Sequence, residues 1–250
     1  MDLNSTRTTK CLRDTSSSTI MPNTPETEEH RPDACLLLTT NTQGHEAPVQ
    51  WENVAVVFEY KKRGASMDWH ANTRRILWNL HQIMNHDPRR RFALGFTIEN
   101  LSLRMWYCDR AGFLVSEQAD LMESVENNPT PLVKIILAIF SASHSELGFD
   151  PTMEPVEVDG MRQYRITVSA NKRYQTVRPL SNFRAAKPVA GQATRVWEVR
   201  TLDGEDQVVG GALALKDVWV KGDTHEGTIF DDIVQASEAP GISTATKDAI

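Results

Sequence analysis

Lys216 stands in Gly210-Gly211-Ala212-Leu213-Ala214-Leu215-Lys216-Asp217-Val218-Trp219-Val220, a run with apolar side chains before and after it. The run reads as a buried strand. A lysine there requires an anion, because an isolated buried ammonium is very costly. A second set is Asp33, followed 26 residues later by Glu59, with Lys61 two positions on. Residues two apart in a strand share a face, so Glu59 and Lys61 point the same way. Other groups offer less. Ser141 and His144 are close in sequence, but no oriented acid or oxyanion site goes with them. The seven histidines contain no pair at metal-ligand spacing, and Cys11, Cys35 and Cys108 form no metal or disulfide framework.

Elements must position these groups. Val54 to Lys61 reads as a strand covered on both faces, and Asp33 to Leu38 as a short apolar strand beside it. Asp68 to Asn85 carries Trp69, Thr73, Ile76, Leu77, Leu80, Ile83 and Met84 at helical steps, and Pro88 ends that helix. A meander follows: Phe92 to Ile98, Leu101 to Tyr107, then Phe113 to Ser116 after the turn Asp109-Arg110-Ala111-Gly112. Thr130-Pro131 opens a helix whose apolar run, Leu132 to Phe140, predicts burial all round. Gly148 to Pro155 connects to a strand-rich region: Gln163 to Val168, Tyr174 to Val177, Arg195 to Thr201 and Gly211 to Val220. Asp203-Gly204 turns into the last of these, and a short helix is expected from His225 to Ala236.

The expected class is α+β. Residues 1–31 form a disordered Ser/Thr-rich tail, 32–150 a mixed α/β module, 151–236 a mostly antiparallel sheet domain, and 237–250 a second disordered tail. The net charge of −6 argues against nucleic acid as a partner of the whole chain. No apolar run is long enough to span a bilayer and no secretory leader is visible, so no membrane partner is expected and the cytosol or nucleus is the expected compartment.

Phe92-Ala93-Leu94-Gly95-Phe96-Thr97-Ile98-Glu99, Leu103-Arg104-Met105-Trp106-Tyr107 and Asp109-Arg110-Ala111-Gly112 together resemble the fungal-type protein kinase family. Glu146-Leu147-Gly148-Phe149-Asp150-Pro151-Thr152, Thr194-Arg195-Val196-Trp197 and Leu215-Lys216-Asp217-Val218-Trp219 continue the resemblance in order, over about Trp51 to Ile233. It implies a β-rich accessory segment ahead of a kinase N-lobe, with ATP and Mg²⁺ as cofactors and phosphorylation of protein on Ser or Thr. Lys216 then corresponds to the strand lysine that holds the α/β-phosphates. Gly191 and Thr194 fall in the phosphate loop, which has one glycine where a kinase loop has two or three. Glu226 is either the acid that pairs with Lys216 or the closing residue of an Asp223-Thr224-His225-Glu226 capping box. The family's helix acid falls near Thr228.

No His-Arg-Asp or Asp-Phe-Gly occurs, and 34 residues follow Lys216. The expectation is therefore a truncated member with an incomplete N-lobe and no catalytic residue assigned. A partner protein could complete the lobe. Two other readings stay open. Pro32-Asp33 with Glu59-Tyr60-Lys61 looks like the PD-(D/E)xK nuclease superfamily. Asp33 and Glu59 would then share a Mg²⁺ while Lys61 orients the attacking water, in an active or a degenerate core. The third reading is a non-catalytic interaction or scaffold protein.

Overall fold

The computed structural model describes residues 8–15, 31–40, 49–62, 66–121, 131–181, 191 and 193–219. It is an α+β fold built on two sheets. The first has strands β1 (Thr8–Asp14), β2 (Ala34–Thr40), β3 (Val54–Lys61), β4 (Ala93–Glu99), β5 (Ser102–Cys108) and β6 (Phe113–Val115) in that spatial order, with β7 (Ala119–Asp120) also paired to β5. β1, β2 and β3 are antiparallel neighbours. The helix α1 (Ser66–His86) then carries the chain across to β4, which lies parallel to β3. The rest of the sheet is antiparallel.

The two-faced burial expected of β3 is present. Val54 and Val57 pack with Ile76, Leu80, Ile83 and Met84 of α1 on one side. Val56 and Phe58 pack with Phe96, Leu147 and Phe149 on the other. The tight turn at Asp109 is closed by its own carboxylate, which accepts from the Ala111 and Gly112 amides at 2.8 and 3.2 Å.

Two expectations need correction. The N-terminal segment read as a disordered tail contains β1, which pairs with β2 along its whole length. Lys10 ties β1 to a helix end by donating to the Phe140 carbonyl at 2.7 Å and also to Ala142 O. Cation and helix C-terminus attract each other, and the last carbonyls gain donors. The helix α2 (Pro131–Ser141) is not buried all round. Ile139 is buried against the sheet, but Leu137 is 62% exposed and Val133 43%. An unbroken apolar run does not say how many sides neighbours will cover.

The second sheet is an antiparallel meander: β8 (Met153–Val158), β9 (Met161–Ser169), β10 (Lys172–Pro179), β11 (Arg195–Leu202) and β12 (Val208–Asp217). Asp159-Gly160, both at positive φ, form the two-residue turn between β8 and β9. One face of the sheet carries the core of Met153, Tyr164, Ile166, Trp197 and Val199, with Tyr174 and Leu215 packed against it. Residues 220–250, which include Glu226 and the expected helix His225 to Ala236, lie outside the described residues, as does the loop 41–48. No helix among the described residues is long and apolar enough to cross a membrane.

Candidate functional site

β12 is an edge strand, not the buried strand expected. Among the described residues it pairs only with β11, and most of it is exposed, Lys216 included. The Gly-Gly-Ala-Leu-Ala-Leu run imitates a strand covered on both faces, yet only alternate residues are used for packing. Leu213 and Leu215 sit opposite Val199 and Trp197, so they share the core face. Ala214 and Lys216 fall on the other face, opposite Glu198 and Val196. Burial therefore does not force Lys216 to find an anion.

Topology gathers the other expected residues near it. β11 begins at Arg195 and pairs Val196 with Lys216, so the segment holding Gly191 and Thr194 enters the sheet at Lys216's end. Thr194 stands immediately before β11 begins. Gly191 has φ +133°, a conformation side chains rarely adopt, and its N–H donates to Arg110 O at 3.0 Å. That amide serves the first module rather than an open phosphate cradle. A groove of about 660 Å³ opens between β9 and β12. Ile166, Tyr174, Val199 and Leu215 contribute apolar walls, and Lys172 and Lys216 also line it.

Residues that sequence patterns did not single out fix the end of β12. Asp217 Oδ2 lies 3.4 Å from Arg195 Nη1, its cross-strand partner. Arg195 is buried and donates to Pro88 O at 2.6 Å. Burial pushes the Asp217 carboxyl above its ordinary range, and the Arg195 cation opposes this.

In the first module, Asp33 and Glu59 do come together. Register places Ala34 opposite Phe58, so Asp33 faces Glu59 one step on. Asp33 Oδ2 accepts from the Tyr60 amide at 2.7 Å. Glu59 has no exposed surface and accepts from Asn79 Nδ2 at 2.7 Å, while its Oε2 has no hydrogen-bond donor. Burial, then the Asp33 charge, pushes the Glu59 carboxyl up to about 8; Arg75 and Asn79 pull the other way. Arg75 Nη1 stands 3.6 Å from Glu59 Oε2 and 3.8 Å from Asp33 Oδ1. A guanidinium thus lies where a shared cation was expected. Among the described residues no group of three or more His, Cys, Asp or Glu could hold a metal. Lys61, half-buried, lies opposite Glu99 on β4. The clue to Arg75 and Asn79 was present in their i, i+4 spacing on α1, which puts them on one helix face.

A family model described as fungal protein kinase matches residues 31–249, a wider span than the motifs that carry the resemblance. No curated protein and no solved structure matches the chain.

Proposed function

The chain belongs to the fungal protein kinase family, and on that premise we propose that its second sheet holds ATP through Lys216. One observation carries the reading. Ala214 and Lys216 share the face of β12 opposite its core, and β12 ends the five-stranded meander as the third of its last three strands, β10, β11 and β12. Gly191 and Thr194 lie in the connection between the first two of these strands, at Lys216's end of the sheet. Protein kinases place a glycine-rich loop over the phosphates and the phosphate-holding lysine on the third strand.

The residues fit the group. The exposed ammonium of Lys216 can meet the α/β-phosphates, and the small Ala214 leaves room on the same face. Thr194 adds a hydroxyl donor. When bound, ATP with Mg²⁺ supplies the transferable phosphoryl group. Holding it is the share of the reaction these residues can carry; the catalytic base and the metal-binding aspartate of phosphoryl transfer are not among them. Titration calorimetry with Mg·ATP tests the reading. Wild type is expected to bind saturably, and Lys216→Met to bind at least about tenfold more weakly, a loss typical of a charge-assisted contact. Equal binding by both removes Lys216 from the site.

A second reading is supported by the cross-strand meeting of Asp33 and Glu59, with Lys61 on the Glu59 side of β3. We propose that this module is a degenerate PD-(D/E)xK-like core in which Arg75 stands beside Asp33 and Glu59 where a metal would. Plasmid DNA with Mg²⁺ is then expected to survive wild type and Glu59→Ala equally. Cleavage by wild type that Glu59→Ala loses would show a working metal site instead.

A further inference from the structure

Two contacts from the first module end on the two segments assigned to nucleotide. Arg110 O accepts the Gly191 amide at 3.0 Å. The Arg110 side chain is buried and donates to Met84 O at 2.8 Å, at the C-terminal part of α1. On the other side, Pro88 O accepts from Arg195, and Arg195 reaches Asp217, the residue after Lys216. Pro88 stands two residues beyond the end of α1, and Arg195 stands four residues after Gly191. So the C-terminal part of one helix and the chain just after it hold both the loop and the end of the lysine strand.

Further ties bind the same region. The Asp150 amide donates to Arg89 O at 2.7 Å, and Arg91 lies 3.5 Å from the Asp150 carboxylate. Pro88, Arg91, Asp150, Arg195 and Asp217 line a shared cavity of about 280 Å³. At the opposite end of the sheet the ion pairs of Asp206 with Arg165 and Arg173 are internal to that sheet. Lys216's end is joined to the first module through Arg195, which donates to Pro88 O and reaches Asp217 across the strand pair. Strand ends otherwise fray, and an edge strand has one ladder to hold it.

We infer that Asp217 and Arg195 are positioning residues through which the first module sets the geometry of the Lys216 strand. This rests on the nucleotide reading of Lys216. In the free strand the last residues of β12 exchange between paired and open arrangements, and the ammonium moves with them. Docked through Arg195 to Pro88 O, the strand end is held, and the cost of ordering it is met before nucleotide arrives. The accessory module is thereby part of the nucleotide site without touching nucleotide.

The experiment uses the full chain with two readouts, hydrogen exchange of β12 followed by mass spectrometry and Mg·ATP affinity by calorimetry. Asp217→Asn is expected to speed exchange over residues 213–217 at least tenfold and to weaken Mg·ATP at least fivefold. Asp217→Glu, which keeps the carboxylate, recovers most of both. Asp206→Asn, which breaks an ion pair at the far end of the sheet, leaves affinity within twofold. Should Asp217→Asn not fold, Arg195→Lys takes its place in both arms. Unchanged exchange in Asp217→Asn overturns the inference, as does an Asp206→Asn loss of affinity equal to that of Asp217→Asn. If wild type binds no Mg·ATP the nucleotide reading falls, while the exchange arm still decides whether Asp217 holds the strand.

Discussion

Replacing Gly148 by alanine is expected to destabilise the protein by at least about 3 kcal/mol, in the range of severe backbone and packing defects. Gly148 has φ +91°, and a Cβ built on it falls on the Phe92 carbonyl oxygen, 3.0 Å from the carbonyl carbon. The obstruction is backbone, so no side chain can turn aside to relieve it. Moving the backbone instead breaks a zipper. Gly148 O accepts from the Arg91 amide at 2.9 Å, Arg90 and Phe149 form a bridge, and the Asp150 amide donates to Arg89 O. The buried Arg90 also donates to Leu147 O at 3.0 Å and stacks its guanidinium 3.5 Å above the Phe149 ring. Urea unfolding followed by tryptophan fluorescence checks this, with Gly204→Ala as the control. Gly204 sits in an open turn with nothing near its added Cβ, so that change should stay within about 0.5 kcal/mol. A Gly148→Ala midpoint equal to wild type would contradict the packing described. The glycine of the Glu146-Leu147-Gly148-Phe149-Asp150 motif is thus explained by close backbone approach.

Glu59→Gln should change stability in a strongly pH-dependent way. The folded carboxyl titrates at about 8 and the reference value is 4.5. Below the reference value both states hold the proton, and the advantage of the folded state is complete. As pH rises from there, the unfolded chain ionises while the folded one keeps its proton, so the advantage shrinks and is gone above about 8. Each unit of the gap corresponds to about 1.4 kcal/mol, so the whole range amounts to a few kcal/mol. Glutamine keeps the acceptor for Asn79 and cannot ionise. The variant should therefore match wild type near pH 5 and exceed it by roughly 2–4 kcal/mol at pH 9. Chemical denaturation at the two pH values measures the difference. Parallel behaviour of the two proteins across that range would mean that Glu59 is not a buried acid short of partners.

Much of the fold could be read from residue patterns where local chemistry and tertiary packing agree. β3 has the limits expected of it, Val54 to Lys61, because a continuous apolar run does end up covered by α1 on one side and by Phe96 and Phe149 on the other. The meander β4-β5-β6 follows from its turn residues. β1 was missed because its own residues bury little; its pairing with β2 and the Lys10 contact to α2 are long-range and leave no periodic trace. β12 and α2 were both over-buried for one reason. Apolar runs report what could be covered, whereas coverage depends on neighbours far along the chain. The acid pair was legible as Asp33 and Glu59, but Arg75 between them was not, since a basic residue on a helix reads as a solvated one. Asp217 was hidden in the same way beside Lys216. Its partner Arg195 lies 22 residues away and becomes adjacent only through the β11–β12 register.

The assignment of Lys216 is tested most directly by chemistry at its own nitrogen. An acyl-phosphate derivative of ATP transfers its acyl group to a lysine amine held beside its phosphates, and peptide mass spectrometry then finds the modified residue. Lys216 is predicted to be the dominant site on the folded chain, with the label suppressed by excess Mg·ATP. Label spread over Lys172, Lys61 and other lysines according to exposure, and indifferent to ATP, would contradict a nucleotide site at Lys216.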